Sequence, residues 1–162
     1  MNKLVLERIN KIIVFFVSGL RFGIRLSETI KIIRAVEITP VPNGPAYLCG
    51  IIDIHGVIVP VINMQIRTGF PDRPTQVSDR FIIANAAKRI IALRVDEVTE
   101  ILQNGENEFL NADLISPDLE LHGIIRSNDG LILIYDLETF LTSDELNFLD
   151  KLSELKNQTK TT

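Results

Sequence analysis

The residues best suited to chemistry in this chain are few: one cysteine, Cys49, and two histidines, His55 and His122. Cys49 precedes "GIIDIHGVIVPVIN", in which His55 and Gly56 interrupt two apolar runs. A Cys–His pair makes an activated nucleophile when a third group orients the base. Cys49 and His55 lie six residues apart across an expected strand, and no orienting group accompanies them. Cys49 therefore reads as a small buried apolar residue. His122, just before Gly123, reads as a polar residue at a strand end. Asp53, two residues ahead of His55, reads as a solvated carboxylate or a turn acceptor.

Metal and phosphate chemistry find no better footing. The chain has no C-x-x-C or H-E-x-x-H spacing, no G-x-S-x-G and no Gly-rich phosphate loop. The stretch "NGENEFLNAD" (Asn104–Asp113) lacks acidic ligands at the positions an EF-hand needs. The expectation is a non-catalytic protein without metal or cofactor.

The elements that would position these residues are strands. The apolar runs are short, rich in Ile and Val, and separated by Gly, Pro, Asn and Asp. Lys11–Val17 and Arg21–Leu26 read as a hairpin closed at Ser18-Gly19. Ser27–Ile33 reads as a short helix capped by Ser27, and Ala35–Thr39 as a strand. Gly50–Ile54 and Val57–Asn63 form the hairpin whose turn holds His55. Arg80–Asn85 pairs with Lys88–Val95, and Gly123–Arg126 with Leu131–Asp136. "GFPDRPTQVSD" (Gly69–Asp79) is the best linker candidate, and Asn104–Asp118 reads mostly as loop. Thr142-x-x-Glu145 reads as a capping box that opens an amphipathic helix over about 143–156, with Leu146, Leu149, Leu152 and Leu155 on one face. The tail "KNQTKTT" is polar.

Bulk properties narrow the class. With 46% hydrophobic and 23% charged residues the chain reads as an ordinary globular protein, and without Trp its core must come from Ile, Leu and Val. A net charge of −4 argues against wrapping a nucleic acid, which needs a concentrated basic surface. "MNKLVLERIN" does not read as a secretory signal, and the run Ile12–Val17 is far short of the ~20 apolar residues of a spanning helix. The expectation is a cytoplasmic protein that meets a membrane only through a partner.

The chain also repeats itself. "GIRLSE" (Gly23–Glu28) returns as "ALRVDE" (Ala92–Glu97), 69 positions on. Gly50-Ile51-Ile52 returns as Gly123-Ile124-Ile125, and Asn63-Met64 as Asp136-Leu137, both 73 positions on. A period of this length suggests two related units. It predicts two small, mostly antiparallel barrels of about five strands each, over 11–68 and 80–137 of a single domain spanning 1–162. Small barrels are filled by their own side chains, which points to a binding surface.

Several of these segments together resemble one family. "GIIDIHGVIVPVINM", the upstream "FGIRLSETIKII" and "TPVPNGPAYLCG", the central "RIIALRVDEVTEIL" and the closing "LILIYDLETFLTSDELNFLDKL" stand in the order and spacing of the CheW-like domain family. The resemblance runs from Lys11 to Lys151. It implies two SH3-like five-stranded barrels side by side and a scaffold role, coupling the cytoplasmic tips of chemoreceptors to the regulatory domain of a CheA-type histidine kinase. It implies an apolar receptor groove at Thr29, Ile32, Ile91 and Val98, with Thr29 where Val is usual. It adds to that receptor surface His55, where the family has an arginine, and Lys31, where it has a glutamate. That arginine and glutamate are expected to pair; here a Lys faces a His, which cannot copy the arginine fork. Gly50, Asp53 and Gly56 of the hairpin are assigned to the kinase side. Alternative readings are an adaptor of a pilus-motility or gene-regulation array, and a small-molecule or peptide sensor using the inter-barrel groove.

Overall fold

The computed structural model describes residues 11–103, 108–111 and 121–159. The chain's start, most of the 104–118 stretch and the end of the tail lie outside the described residues. No helix among these residues is long and apolar enough to cross a membrane.

The apolar runs form strands because their β-branched side chains are buried on both faces. "KIIVFFV" makes β1 (Lys11–Val17), with Ile12 to Phe15 all buried. Such strands read as continuous apolar runs instead of alternating ones. β1 turns at Ser18-Gly19 into β2 (Leu20–Arg25). The expected helix over 27–33 is instead a 3-10 turn, Leu26–Glu28, followed by β3 (Thr29–Arg34). Three isoleucines in "TIKIIR" favour the strand, where branched side chains pack well. The Glu28 carboxylate fixes the turn by accepting from the Arg25 N–H at 3.3 Å and the Leu137 N–H at 3.0 Å. Nor is Ala35–Thr39 a strand; only Thr39 bridges to Ile51, through two 2.9 Å backbone bonds.

The remaining strands are β4 (Leu48–Ile54), β5 (Val57–Asn63), β6 (Arg80–Ala86), β7 (Arg89–Val95), β8 (Glu97–Gln103), β9 (Glu108–Asn111), β10 (Gly123–Ser127) and β11 (Gly130–Ile134). β9 falls within the stretch read mostly as loop. A four-residue helix α1 (Met64–Arg67) follows β5, and helix α2 occupies Ser143–Thr159.

Among the described residues these strands make two sheets. One has six strands in the order β8-β1-β2-β11-β10-β9, the other five in the order β3-β6-β7-β5-β4. We call them sheet A and sheet B. They do not coincide with 11–68 and 80–137. Sheet A joins the hairpin β1–β2 to four strands from the later stretch; sheet B joins β6–β7 to three from the earlier one. The 3-10 turn after β2 carries the chain from one sheet to the other. The repeat survives this exchange. Ile134 stands opposite Gly23 in a short parallel ladder, and Val61 opposite Ala92 in its counterpart. Both pairs follow from the 69- and 73-residue offsets.

Three apolar clusters divide the strand faces. Ile12, Val14, Ile125, Ile132 and Ile134 pack within sheet A. Ile52, Val59, Val61, Phe81, Ile83 and Ala92 pack within sheet B. The largest cluster takes the opposite faces of the same strands, with Ile13, Phe15 and Val17 from β1 and Ile82, Ala84 and Ala86 from β6. It is therefore the seam between the sheets. A run of aromatic rings, Phe15, Phe22, Tyr135 and Phe140, crosses it with centroids 5.3 to 6.1 Å apart.

Polar pairs close the ends. Glu145 caps α2 with Thr142, its carboxylate accepting from the Thr142 N–H at 2.8 Å. The same carboxylate receives Arg67 Nη1 on both oxygens, at 2.8 and 2.6 Å. This pair is largely buried, and the Arg67 guanidinium also donates to the Phe140 carbonyl and lies over the Phe140 ring. Gly69–Asp79 is no slack linker. Arg73 donates to both Asp79 oxygens at 2.8 Å and reaches Asp96. Arg94 donates to Thr75, Gln65 and Asn63, and Asn63 donates to Asp72. Asp96 is held below the usual aspartate range. Burial pushes it up, but hydrogen bonds from Arg73, the Ser18 N–H and Gln65 outweigh that.

Candidate functional site

The edge strand β3 carries three of the expected surface residues. Its register against β6 slips at Ile30, so Thr29 stands opposite Ala84, Lys31 opposite Ile83 and Ile32 opposite Ile82. Paired residues share a sheet face. Thr29 and Ile32 therefore extend the seam cluster to the edge of sheet B, while Lys31 lies on the other face with Ile83. Ile32 is 40% exposed and Ile30 47%. In sheet A, β8 repeats the arrangement, with Val98 opposite Phe15, Ile101 opposite Ile13 and a slip between them. Ile101 is 60% exposed. The seam thus reaches solvent along two matching edges.

Ile91 does not line a surface. It stands opposite Ala84, one strand further in than Thr29, and is fully buried in the seam.

His55 occupies a different place, the tip of the β4–β5 hairpin. His55 and Gly56 have φ of 50° and 85°, the two-residue turn whose left-handed backbone suits the twist of a hairpin. Asp53 is the turn acceptor, taking the Gly56 N–H at 2.7 Å. Gly50 is not at the tip. It is buried in β4 at φ 148°, where a Cβ would collide with the Thr39 carbonyl and break the Thr39–Ile51 bridge. Its role is close backbone approach. Beside the tip lies a cleft of about 270 Å³ lined by Val57, Ile58, Pro60, Ile90 and, from α2, Leu149 and Leu152. Arg89 ties α2 to β7 there through two bonds to Asp150, 2.7 and 2.8 Å long. Sequence reasoning missed this cleft, because the helix's docking partner is not encoded near it in the chain.

The chemistry-capable residues stay apart. Cys49 packs against the inner cluster of sheet B, and burial pushes its thiol up to about 11, so it is a poor thiolate. His122 lies at sheet A, with Nε2 3.0 Å from Arg25 Nη2. A guanidinium only donates, so Nε2 is the accepting atom of this contact. His122 also packs against Phe109, with ring centroids 5.6 Å apart. No group of three metal-ligating side chains converges among the described residues.

The geometry defines a two-sheet β protein with apolar edges and polar-clamped ends. A solved structure has this fold: a scaffolding protein, TtCheW, from Thermoanaerobacter tengcongensis. It superposes with a TM-score of 0.72 at 28% identity, covering 81% of this chain and 91% of that one. The pattern of the CheW-like domain matches residues 11–145, and the chain belongs to that family. Among its relatives are chemotaxis proteins CheW of Rhizobium meliloti, 25% identical over 83% of this chain and 89% of the other, and of Bacillus subtilis, 27% identical over 83% and 88%.

Proposed function

We propose that this protein is a cytoplasmic, non-catalytic adaptor that couples chemoreceptor tips to a CheA-type histidine kinase. The observation that carries this reading is the family match over 11–145, joined to a seam that opens at matching edges. On this reading each sheet is an SH3-like barrel. The Thr39–Ile51 bridge supports it for sheet B, because it links the chain beyond β3 to β4, the opposite edge strand. The receptor surface comprises Thr29, Lys31, Ile32 and Val98, with Ile91 beneath it. At the hairpin tip His55 belongs to the receptor contact, and Asp53 and Gly56 to the kinase side. A bound molecule in the seam is a weaker reading, since buried side chains fill it. Co-sedimentation of the purified protein with receptor signalling fragments and a kinase regulatory domain tests the proposal. Formation of a ternary complex is expected, and binding to neither partner would sink it.

A further inference from the structure

Among the described residues, Arg21, Arg25, Arg67, Arg73, Arg89 and Arg94 each reach a carboxylate. Three cations on or beside β3 do not. Lys31 and Arg34 are exposed on the strand, and Arg80 stands directly opposite Arg34 on β6. Like charges in that position weaken a sheet. Arg80 spends its donors on the Ser78 and Asp79 carbonyls. The nearby acids are engaged elsewhere: Glu28 with two backbone N–H groups, Asp79 with Arg73 and the Gln76 N–H. Glu37, three residues past the strand, forms no ion pair with these cations.

This strip is basic in a chain whose net charge is −4. It lies on an edge strand, with Lys31 on one face, Arg34 and Arg80 on the other, and Ile30 and Ile32 exposed beside them. The matching edge β8 has the opposite sign. By the 69-residue offset Lys31 corresponds to Glu100, Arg34 to Gln103 and Arg80 to Lys11, and Glu100 is already neutralised by Arg21 at 2.8 Å. A cationic pair kept at a cost to the sheet, without an internal acid, fits an external one.

We propose that β3 receives an acidic, apolar protein segment, with carboxylates facing Lys31, Arg34 and Arg80 and apolar side chains against Ile30 and Ile32. This rests on the docking reading above and names its partner's chemistry. On that reading the receptor tip that meets β3 is anionic there.

The test uses the whole chain and two synthetic peptides with the same isoleucine spacing, one with Glu and one with Lys at every polar position. The Glu peptide should bind about tenfold more tightly, with the margin shrinking as salt is added. In Lys31→Glu/Arg34→Glu the preference should invert. In the milder Lys31→Gln/Arg34→Gln, which guards against a folding defect, it should vanish. Equal affinity for the two peptides, a preference that survives both variants, or equal binding to vesicles containing an anionic lipid would overturn the proposal. Receptor fragments co-sedimenting equally with wild type and reversed variant would defeat this inference and leave the adaptor reading standing. An acidic preference without any receptor or kinase binding would do the reverse.

Discussion

Sheets A and B are two answers to the same backbone plan. Each has a central hairpin, β1–β2 or β6–β7, an edge strand that slips register at one residue, and a parallel ladder to a second hairpin. Even the polar contacts repeat: Arg25 meets Asp136 in sheet A, and Arg94 meets Asn63 at the matching place in sheet B. The differences lie in side-chain size at the seam, in turn chemistry and in edge charge. The seam tolerates asymmetry only as complementary volume, whereas an edge facing solvent is free to change sign. The plan is thus held by packing, and the two sheets diverge where packing imposes least.

The sharpest way to break the comparison is through Phe15 and its counterpart Ala84, both fully buried in the seam. Phe15→Ala should cost about 3–5 kcal/mol by cavity formation. Ala84→Phe should cost about 1–3 kcal/mol by overpacking. If the sheets share one seam, the double swap recovers part of the loss in urea midpoint; strict additivity would argue that the two sites do not sense each other.

Next in size is the Arg67–Glu145 pair, which clamps α2 onto the protein. Arg67→Ala should remove about 3 kcal/mol by leaving a buried carboxylate unpaired, read as a fall in thermal midpoint. Arg89→Ala, whose pair with Asp150 is exposed, should cost at most about 1 kcal/mol. Similar losses would show that burial does not separate the two clamps.

The turns offer a smaller contrast. Ser18-Gly19 and Ala87-Lys88 occupy matching hairpin tips, all four with positive φ, but only the first has a glycine. Lys88→Gly should stabilise by about 1 kcal/mol and Gly19→Lys destabilise by a similar amount. Equal and negligible effects on the denaturation midpoint would mean that neither turn limits stability.

The smallest effect is a slope. Burial pushes the Glu28 carboxyl up from its ordinary 4.5, against the pull of Arg25. The folded state therefore holds that proton more tightly than the unfolded one. The contribution favours folding at low pH and is lost as pH rises through the raised value. Stability of wild type relative to Glu28→Gln should fall as pH rises above 4.5, and the variant should lack that drift. The exposed counterpart Glu97→Gln is the control.

Much of the fold was legible in the chain because hairpins are local. The β5 bounds, the turns at Ser18-Gly19 and His55-Gly56, and the Thr142/Glu145 cap all follow from residues within a few positions of each other. The two repeats were legible as well. Strand exchange was not, because apolar periodicity says which face is buried but not against which strand. The helix expected over 27–33 failed for the same reason: its isoleucines answer to β6, some fifty residues away. Of the surface residues, Ile91 was misplaced because a β-branched residue in a two-sided strand gives no sign of whether its face meets solvent. Gly50 looked like turn chemistry, and only the returning chain at Thr39 reveals its purpose. Lys31 was singled out by comparison with a family pattern; its neighbours Arg34 and Arg80 emerged only from the register.

The crossing of the chain between sheets has a further consequence, for biosynthesis. The first hairpin is complete at Arg25, yet its flanking strand β8 begins at Glu97 and β11 only at Gly130. At roughly 5–20 residues per second, a ribosome leaves that hairpin with both edges bare for on the order of ten seconds. Neither tandem stretch can finish a sheet by itself. A messenger truncated in the loop after α1 should therefore yield an aggregation-prone fragment in place of a half-sized module, and any descendant of a duplicated ancestor that took this threading could no longer part with either copy.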